Sequence, residues 1–406
     1  MDYPSLFNLA LVSKHIHPHA IRALYHKPFM ISMGKESTPT WDKAFELLHT
    51  LEANNNRYGR LVRDTSGIEI WQRRLVRPSI DLDNRCLAPV VGTWYVRALK
   101  ACPSLQKITL SFATSKELDK ILRTLNLISF GSSSAHSSQA QPRVDFSASS
   151  ISFSSGPSRP GVDGRITYAE VLHALQRTSI QTLDTIEFDE VDWILTDQFG
   201  NSSSPSFPFP MKSLSISKSS DQSSNSTHLF PRFPSTLERF SFVLRYTTES
   251  DVDTRLPKIT APKLKELSMS HIANQCHALS SYTSSGTAPP IVVSTFTCFP
   301  RLTTLYLYGT HGPSLLLLET LAQSSPLLSS IDFHASHWIS DANPLSATSY
   351  EIFPEVRIFV TLQTMQHLRE VDLGVLPTSD SQRYEGMKAM LELKGSKVKY
   401  KCCYVD

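Results

Sequence analysis

One short cassette, Pro-x-Leu-x-x-Leu-x-Leu, constrains this chain more than any other feature. Phe299-Pro300-Arg301-Leu302-Thr303-Thr304-Leu305-Tyr306-Leu307 is one copy, and Pro262 to Met269 is another. Pro103 to Leu110, Pro326 to Phe333 and, with one extra residue after the proline, Pro234 to Phe242 repeat it. Degenerate copies run Leu183 to Phe188, Met211 to Ile216 and Leu368 to Leu373. With the first apolar residue of each copy as a register mark, the marks are Leu105, Leu183, Met211, Leu237, Leu264, Leu302, Leu327 and Leu368. The steps between them are 78, 28, 26, 27, 38, 25 and 41 residues. The last two apolar residues of a cassette are two apart, so they share one face of a short strand. The first lies three residues earlier and folds under that face. A single such strand cannot bury its apolar row, whereas parallel neighbours stacked on it can. The proline suits the loop entering the strand, where no ladder donor is lost.

Four of the seven steps fall in the roughly 20–29-residue period of leucine-rich repeats. The steps of 38 and 41 read as one repeat plus an insertion, and the step of 78 has room for about three repeats. The expected fold class is therefore α/β, a leucine-rich-repeat solenoid (horseshoe), with a helix or turn covering the far side of each strand.

At 406 residues with 40% hydrophobic content, the chain suits one solenoid with a continuous core. Net charge is only +3, which implies no strong attraction to nucleic acid or membrane. Residues 1–100 carry 14 Lys/Arg against 9 Asp/Glu, and that excess reads as a solvated face. The cysteines are Cys86, Cys102, Cys276, Cys298, Cys402 and Cys403, with no Cys-x-x-Cys pair. They read as reduced thiols, which places the protein inside the cell, in cytoplasm or nucleus. No signal peptide and no membrane span are expected, so the sequons at Asn201 and Asn225 read as chance matches in Ser-rich loops.

The N-terminus has two helical patterns. Leu6, Leu9 and Ala10 share one face. Pro18 suits the first turn of a second helix that places Ile21, Leu24 and Tyr25 together. The stretch Leu9 to Tyr25 resembles the second half of an F-box, and with the repeats behind it the chain looks most like fungal-type F-box/leucine-rich-repeat proteins. That family's F-box opens with a Leu-Pro-x-Glu-hydrophobic helix. Here only Met1-Asp2-Tyr3 precede Pro4, so residues 1–27 read as an N-terminally incomplete F-box-like segment. The resemblance implies a non-catalytic substrate receptor of a cullin–RING ubiquitin ligase. Leu6, Leu9, Val12, Ile16 and Leu24 would meet a Skp-type adaptor, and the repeats at 28–406 would hold a protein target. The alternative is an adaptor-independent repeat scaffold or sensor with a degenerate F-box. His15, His17 and His19 read as surface histidines at the helix–helix corner, since Pro18 breaks any regular ligand spacing.

Residues 28–33 read as a strand and Trp41 to Leu51 as an amphipathic helix that Asn54-Asn55-Asn56 ends. Leu61-Val62 opens an atypical first repeat. Helices are expected at 94–101, 115–125, 167–176 and 315–322, and a closing helix and strand at 385–393 and 398–402. Thirteen serines between Ser129 and Ser158 mark residues 129–164 as a disordered insertion.

No Gly-x-Ser-x-Gly, phosphate-loop, Gly-x-Gly-x-x-Gly or His-Glu-x-x-His motif is present. No cofactor, metal or catalytic residue is assigned. Asp332, His334, His337 and Asp341 form the most chemical-looking group, but spacing converges no further ligand or nucleophile on them. The residues between the last two apolar positions of each cassette should line the open face of the stack. They are Thr109, Glu187, Ser215, Ser241, Ser268, Tyr306, Asp332 and Asp372, none of them aliphatic. Glu187 and, at the C-terminal end, Tyr306, Tyr308, Asp332, His334, Glu370 and Asp372 are the candidate partner-binding residues, with a basic or polar segment of the target set against the acids.

Overall fold

The computed structural model describes residues 3–33, 41–68, 71, 75, 94–112, 115–124, 150–155, 168–178, 183–189, 207, 210–220, 233–246, 261–273, 299–308, 315–334, 354–376 and 381–402. The chain divides into two units, Met1–Asp192 and Trp193–Asp406. Both are built of parallel strands that pair in chain order.

The first unit opens with α1 (Tyr3–Val12) and α2 (His17–His26). Ala10, Ala20 and Leu24 form their buried core, flanked by Leu9, Ile21 and Tyr25. His17 Nδ1 lies 2.9 Å from the Ala10 carbonyl and ties the corner. Residues Pro28–Met33 form a 3₁₀ turn, not the strand the sequence suggested. The turn takes Phe29 beneath Trp71 and Trp94, whose rings stack 5.9 Å apart and meet Phe29 edge-on. Each indole donates to a backbone carbonyl, Trp71 to Phe29 and Trp94 to Ala44, both at 2.9 Å. Two buried tryptophans are thereby satisfied without water. The helix α3 (Trp41–Asn56) loses helical geometry at Ala53, and Asn54 to Asn56 all have positive φ, as the asparagine run implied. Gly59 is required where it stands, because a Cβ there would lie 1.8 Å from the Ala101 carbonyl oxygen.

A helix over 94–100, α4, leads into β1 (Lys107–Phe112). Then follow α5 (Ser115–Thr124), β2 (Ser150–Ser155), α6 (Tyr168–Gln176) and β3 (Thr185–Asp189). The strand β2 corrects the expectation that 129–164 is a disordered insertion. Ile151 and Phe153, two apart, are both fully buried between Ile108 and Leu110 on one side and Ile186 and Phe188 on the other. Serine-rich composition hid a strand that needs only two apolar residues when both neighbours supply the rest. The other residues of that tract lie outside the described residues.

The second unit stacks β4 (Ser213–Ser220), β5 (Arg239–Tyr246), β6 (Glu266–Ala273), β7 (Thr304–Tyr308), β8 (Ser330–Asp332), β9 (Glu370–Leu376) and β10 (Lys397–Cys402). Between the later strands lie α7 (Leu315–Ser324), α8 (Pro354–Thr364) and α9 (Ser381–Leu393). In register, Leu214, Phe240, Leu267, Leu305, Ile331, Val371 and Val398 form one continuous buried row.

Six strand entries among the described residues repeat one hydrogen-bond pattern. The carbonyl one residue after a register mark accepts two consecutive N–H groups from the next repeat. Lys212 O takes Glu238 and Arg239, Glu238 O takes Lys265 and Glu266, Lys265 O takes Thr303 and Thr304, Thr303 O takes Ser329 and Ser330, and Ser329 O takes Arg369 and Glu370. The same pattern runs from Arg63 O to Gln106 and Lys107, so Val62 is the mark of the first repeat. It also corrects one mark. Leu328, 1% exposed, holds the position given above to Leu327, which is 45% exposed. Pro326-Leu327-Leu328 offered two leucines, and only the second sits three residues before Ile331.

An ion pair joins the N-terminal helices to the first repeat. Lys27 Nζ lies 2.8 Å from Asp64 Oδ2, while the Ser66 amide and hydroxyl donate to Asp64 Oδ1 at 2.8 and 2.6 Å. Burial would raise the Asp64 pKa, but the hydrogen bonds from Lys27 and Ser66 outweigh it and hold the carboxyl below the usual aspartate range.

Two predictions follow from these contacts. Leu305→Ala and Leu328→Ala should each cost ~2–5 kcal/mol in denaturant unfolding, and Phe153→Ala a similar ~3–5 kcal/mol. Leu327→Ala should cost under ~0.5 kcal/mol. Asp64 contributes stability above its unfolded pKa and loses it as pH falls through its lower folded value. Asp64→Asn should therefore lower the thermal midpoint at neutral pH, and wild type and variant should converge on acidification below the ordinary aspartate range.

Candidate functional site

The polar face of the second unit is set by the cassette. Residues between paired apolar positions must point away from the core. Ser215, Ser241, Ser268, Tyr306, Asp332 and Asp372 fall on one register row, and Lys399 on β10 extends it. The first three are half-buried serines. From β7 onward the row changes character. Tyr306 is 36% exposed and Tyr308, two residues on, 44%.

The residues singled out from sequence at this end come together. The Tyr308 and His334 rings stack 5.6 Å apart at 18°. His334 Nδ1 lies 3.7 Å from Asp372 Oδ2. Asp332 Oδ1 accepts the His334 amide at 2.8 Å, and Asp372 Oδ1 accepts the Gly374 amide at 2.9 Å. Each amide bond uses one aspartate oxygen, and the second oxygen of Asp372 is the one that faces His334. Glu370 lies at the rim, 3.7 Å from Lys399 Nζ. Tyr306 stands among these carboxylates. Its phenol is raised above the ordinary tyrosine range, first by burial and then by Glu266, Asp332 and Glu370. Glu266 and Lys399 were not assigned to the face from sequence. Glu266 sits one position before a buried leucine, as Glu370 does before Val371, and that parallel was the available signal.

The first unit departs from the expected face. Thr109 is buried, with its amide on Thr65 Oγ1 at 2.9 Å and its carbonyl taking the Tyr95 hydroxyl at 2.7 Å. It is closed to a partner because the first repeat and α4 already use its backbone. Glu187 is bridged to Lys107 at 3.0 Å across Ser150 and Ser152 of β2. It is held within the sheet and stands apart from the C-terminal group.

The N-terminal set also divides. Leu24 is core and Leu9 half-buried against it, while Val12 and Ile16 are exposed together with Leu11. Leu6 lies in α1, and its side chain is outside the described residues. His15, His17 and His19 are all exposed. Among the described residues no three His, Cys, Asp or Glu side chains converge as a metal site, and no helix is long and apolar enough to cross a membrane. His337 and Asp341 lie outside the described residues.

The C-terminal arrangement offers ring faces, carboxylates with spare acceptor capacity and a rigid strand beneath them. It is suited to holding a chain. No family of known proteins matches this sequence, and no curated protein is similar to it.

Removal of the carboxylate beside Tyr306 should be readable on the phenol itself. Tyrosine-selective NMR should find Tyr306 ionising at a more alkaline pH than free tyrosine, and Glu266→Gln should shift it back toward the ordinary value.

Proposed function

We propose that this protein is a non-catalytic, intracellular interaction protein whose stacked strands form a leucine-rich-repeat array, with a protein target docked on the C-terminal end of the open face. The observation that supports this best is the register row on which Tyr306, Asp332 and Asp372 follow three serines. Tyrosine gives large contact area with one polar handle, and the adjacent acids orient a partner. Interfaces concentrate energy in a few such residues, so the serine stretch serves as surround.

In the fuller reading the chain is a substrate receptor of a cullin–RING ubiquitin ligase, with α1 and α2 as its F-box-like segment. Leu11, Val12 and Ile16, exposed on that helical pair, support it as the place for a Skp-type adaptor. Leu9 and Leu24 serve the pair's own core, which favours a second reading, an adaptor-independent scaffold in which the helices only cap the array. Val12 and Ile16 separate the two. A purified adaptor captured by the chain, and released by Val12→Asp or Ile16→Asp at unchanged thermal midpoint, supports the receptor. No capture by the wild type supports the scaffold.

The docking face has its own test. In a pull-down followed by titration, Tyr306→Ala and Asp332→Ala should each weaken target binding by more than ~1 kcal/mol with stability nearly unchanged. A target that binds both variants normally places its site elsewhere.

A further inference from the structure

Tyr306 occupies a particular position on the face. Tyr308 already has a ring partner in His334, whereas Tyr306 makes no hydrogen bond or ring contact among the described residues. Its neighbours on β6 in the same rows, Ser268 and Ser270, are too small to cover it. Each adjacent strand presents a carboxylate beside it. Asp332 is directly across on β8, and Glu266 is one strand the other way on β6, two residues toward the strand start. With strands ~4.8 Å apart and ~3.3 Å of rise per residue, these acids bracket the ring at roughly 5–8 Å, backbone to backbone. Glu370 and Asp372 lie one strand further. Three cations stand near: Arg239 pairs in register with Glu266, Lys397 pairs in register with Glu370, and Lys399 is 3.7 Å from Glu370. Four carboxylates against three cations leave the surroundings of Tyr306 net negative by one charge.

Resting on the docking reading above, we propose that this face takes an arginine side chain from an extended segment of the target, its guanidinium laid on the Tyr306 ring between Glu266 and Asp332. A cation is selected by charge and by the negative face of the aromatic ring. Arginine is selected over lysine by shape. Its planar group stacks on tyrosine while its edge N–H groups reach carboxylates on either side, which a compact ammonium cannot do at once. An extended segment fits because alternate residues of a strand-like peptide point to one side, matching the spacing of Tyr306 and Tyr308.

The test uses the full chain and three labelled Ser/Gly decapeptides with arginine, lysine or citrulline at alternate positions, read by fluorescence anisotropy at low salt. The arginine peptide should bind at least fivefold more tightly than the other two. Tyr306→Ala and Asp332→Asn should each reduce that binding at least fivefold, while Tyr306→Phe, which keeps the ring, retains it. Equal binding of the arginine and lysine peptides, or binding indifferent to Tyr306→Ala, overturns the proposal. A captured target that Tyr306→Ala releases, in a chain that binds no arginine peptide, overturns the arginine assignment alone. A target indifferent to Tyr306→Ala overturns the docking reading beneath it.

Discussion

Everything in this fold depends on a strand that cannot satisfy itself. A cassette buries its apolar row only when a neighbour lies on each side, and its backbone is paired only by the strands before and after it. The two N–H groups donated to one carbonyl at the entries of β5 to β9, from Glu238 and Arg239 to Lys212 and onward to Arg369 and Glu370 on Ser329, fix both conditions at once. They set where a strand begins, and so decide which residue faces the core. A slip of one residue would turn Leu305 outward and Tyr306 inward, which the buried row forbids. Side-chain hydroxyls reinforce the same step. Thr303 Oγ1 donates to Lys265 O, Ser329 Oγ to Thr303 O and Ser396 Oγ to Leu368 O.

That dependence explains what could be read from the sequence. Where proline and three apolar positions occur together, as at Pro262 to Met269 and Pro300 to Leu307, both strand and register were legible. Where one signal was missing, neighbours supplied it. Ile151 and Phe153 follow Ala148 instead of a leucine, and the serines around them masked the strand. At Pro326 the cassette offered two leucines, and Leu328, three residues before Ile331, is the buried one, with Ser329 donating to the previous repeat. The helix Pro354–Thr364 was not assigned at all, although Ile358, Phe359 and Leu362 form its buried side. Pro28–Met33 failed in the other direction. Its apolar run has strand composition, but Phe29 is drawn under two tryptophans over 40 residues away in sequence, and no local pattern reports that.

The candidate site was more legible than the helices because the face is a consequence of register. Once Leu305 and Leu307 are inside, Tyr306 must be outside, and Asp332 and Asp372 must follow it in line. What periodicity could not supply was the long-range competition for each group. Thr109 obeys the same alternation but is closed by Tyr95 and Thr65. Glu187 obeys it and is bridged to Lys107, two strands away. Alternation assigns a side, and only the surrounding elements decide whether that side is open.

The same logic bears on the strand β10. The last described strand, β10, has Gly395 with positive φ where most earlier repeats place a leucine, and Ser396 there is buried and bonded back to Leu368. The apolar row shrinks to Val398, while Lys397 and Lys399 face outward. Lysines on an edge strand oppose the addition of another chain, because a pairing neighbour would have to desolvate or match them. Here Lys399 has a second consequence. It stands in line with Asp372 and 3.7 Å from Glu370, so the residue that blunts the edge also offsets the negative charge of the open face at its outer limit. The uncompensated charge is thereby left further inside, around Tyr306, where Glu266 and Asp332 flank the ring and the strands beneath are paired on both sides.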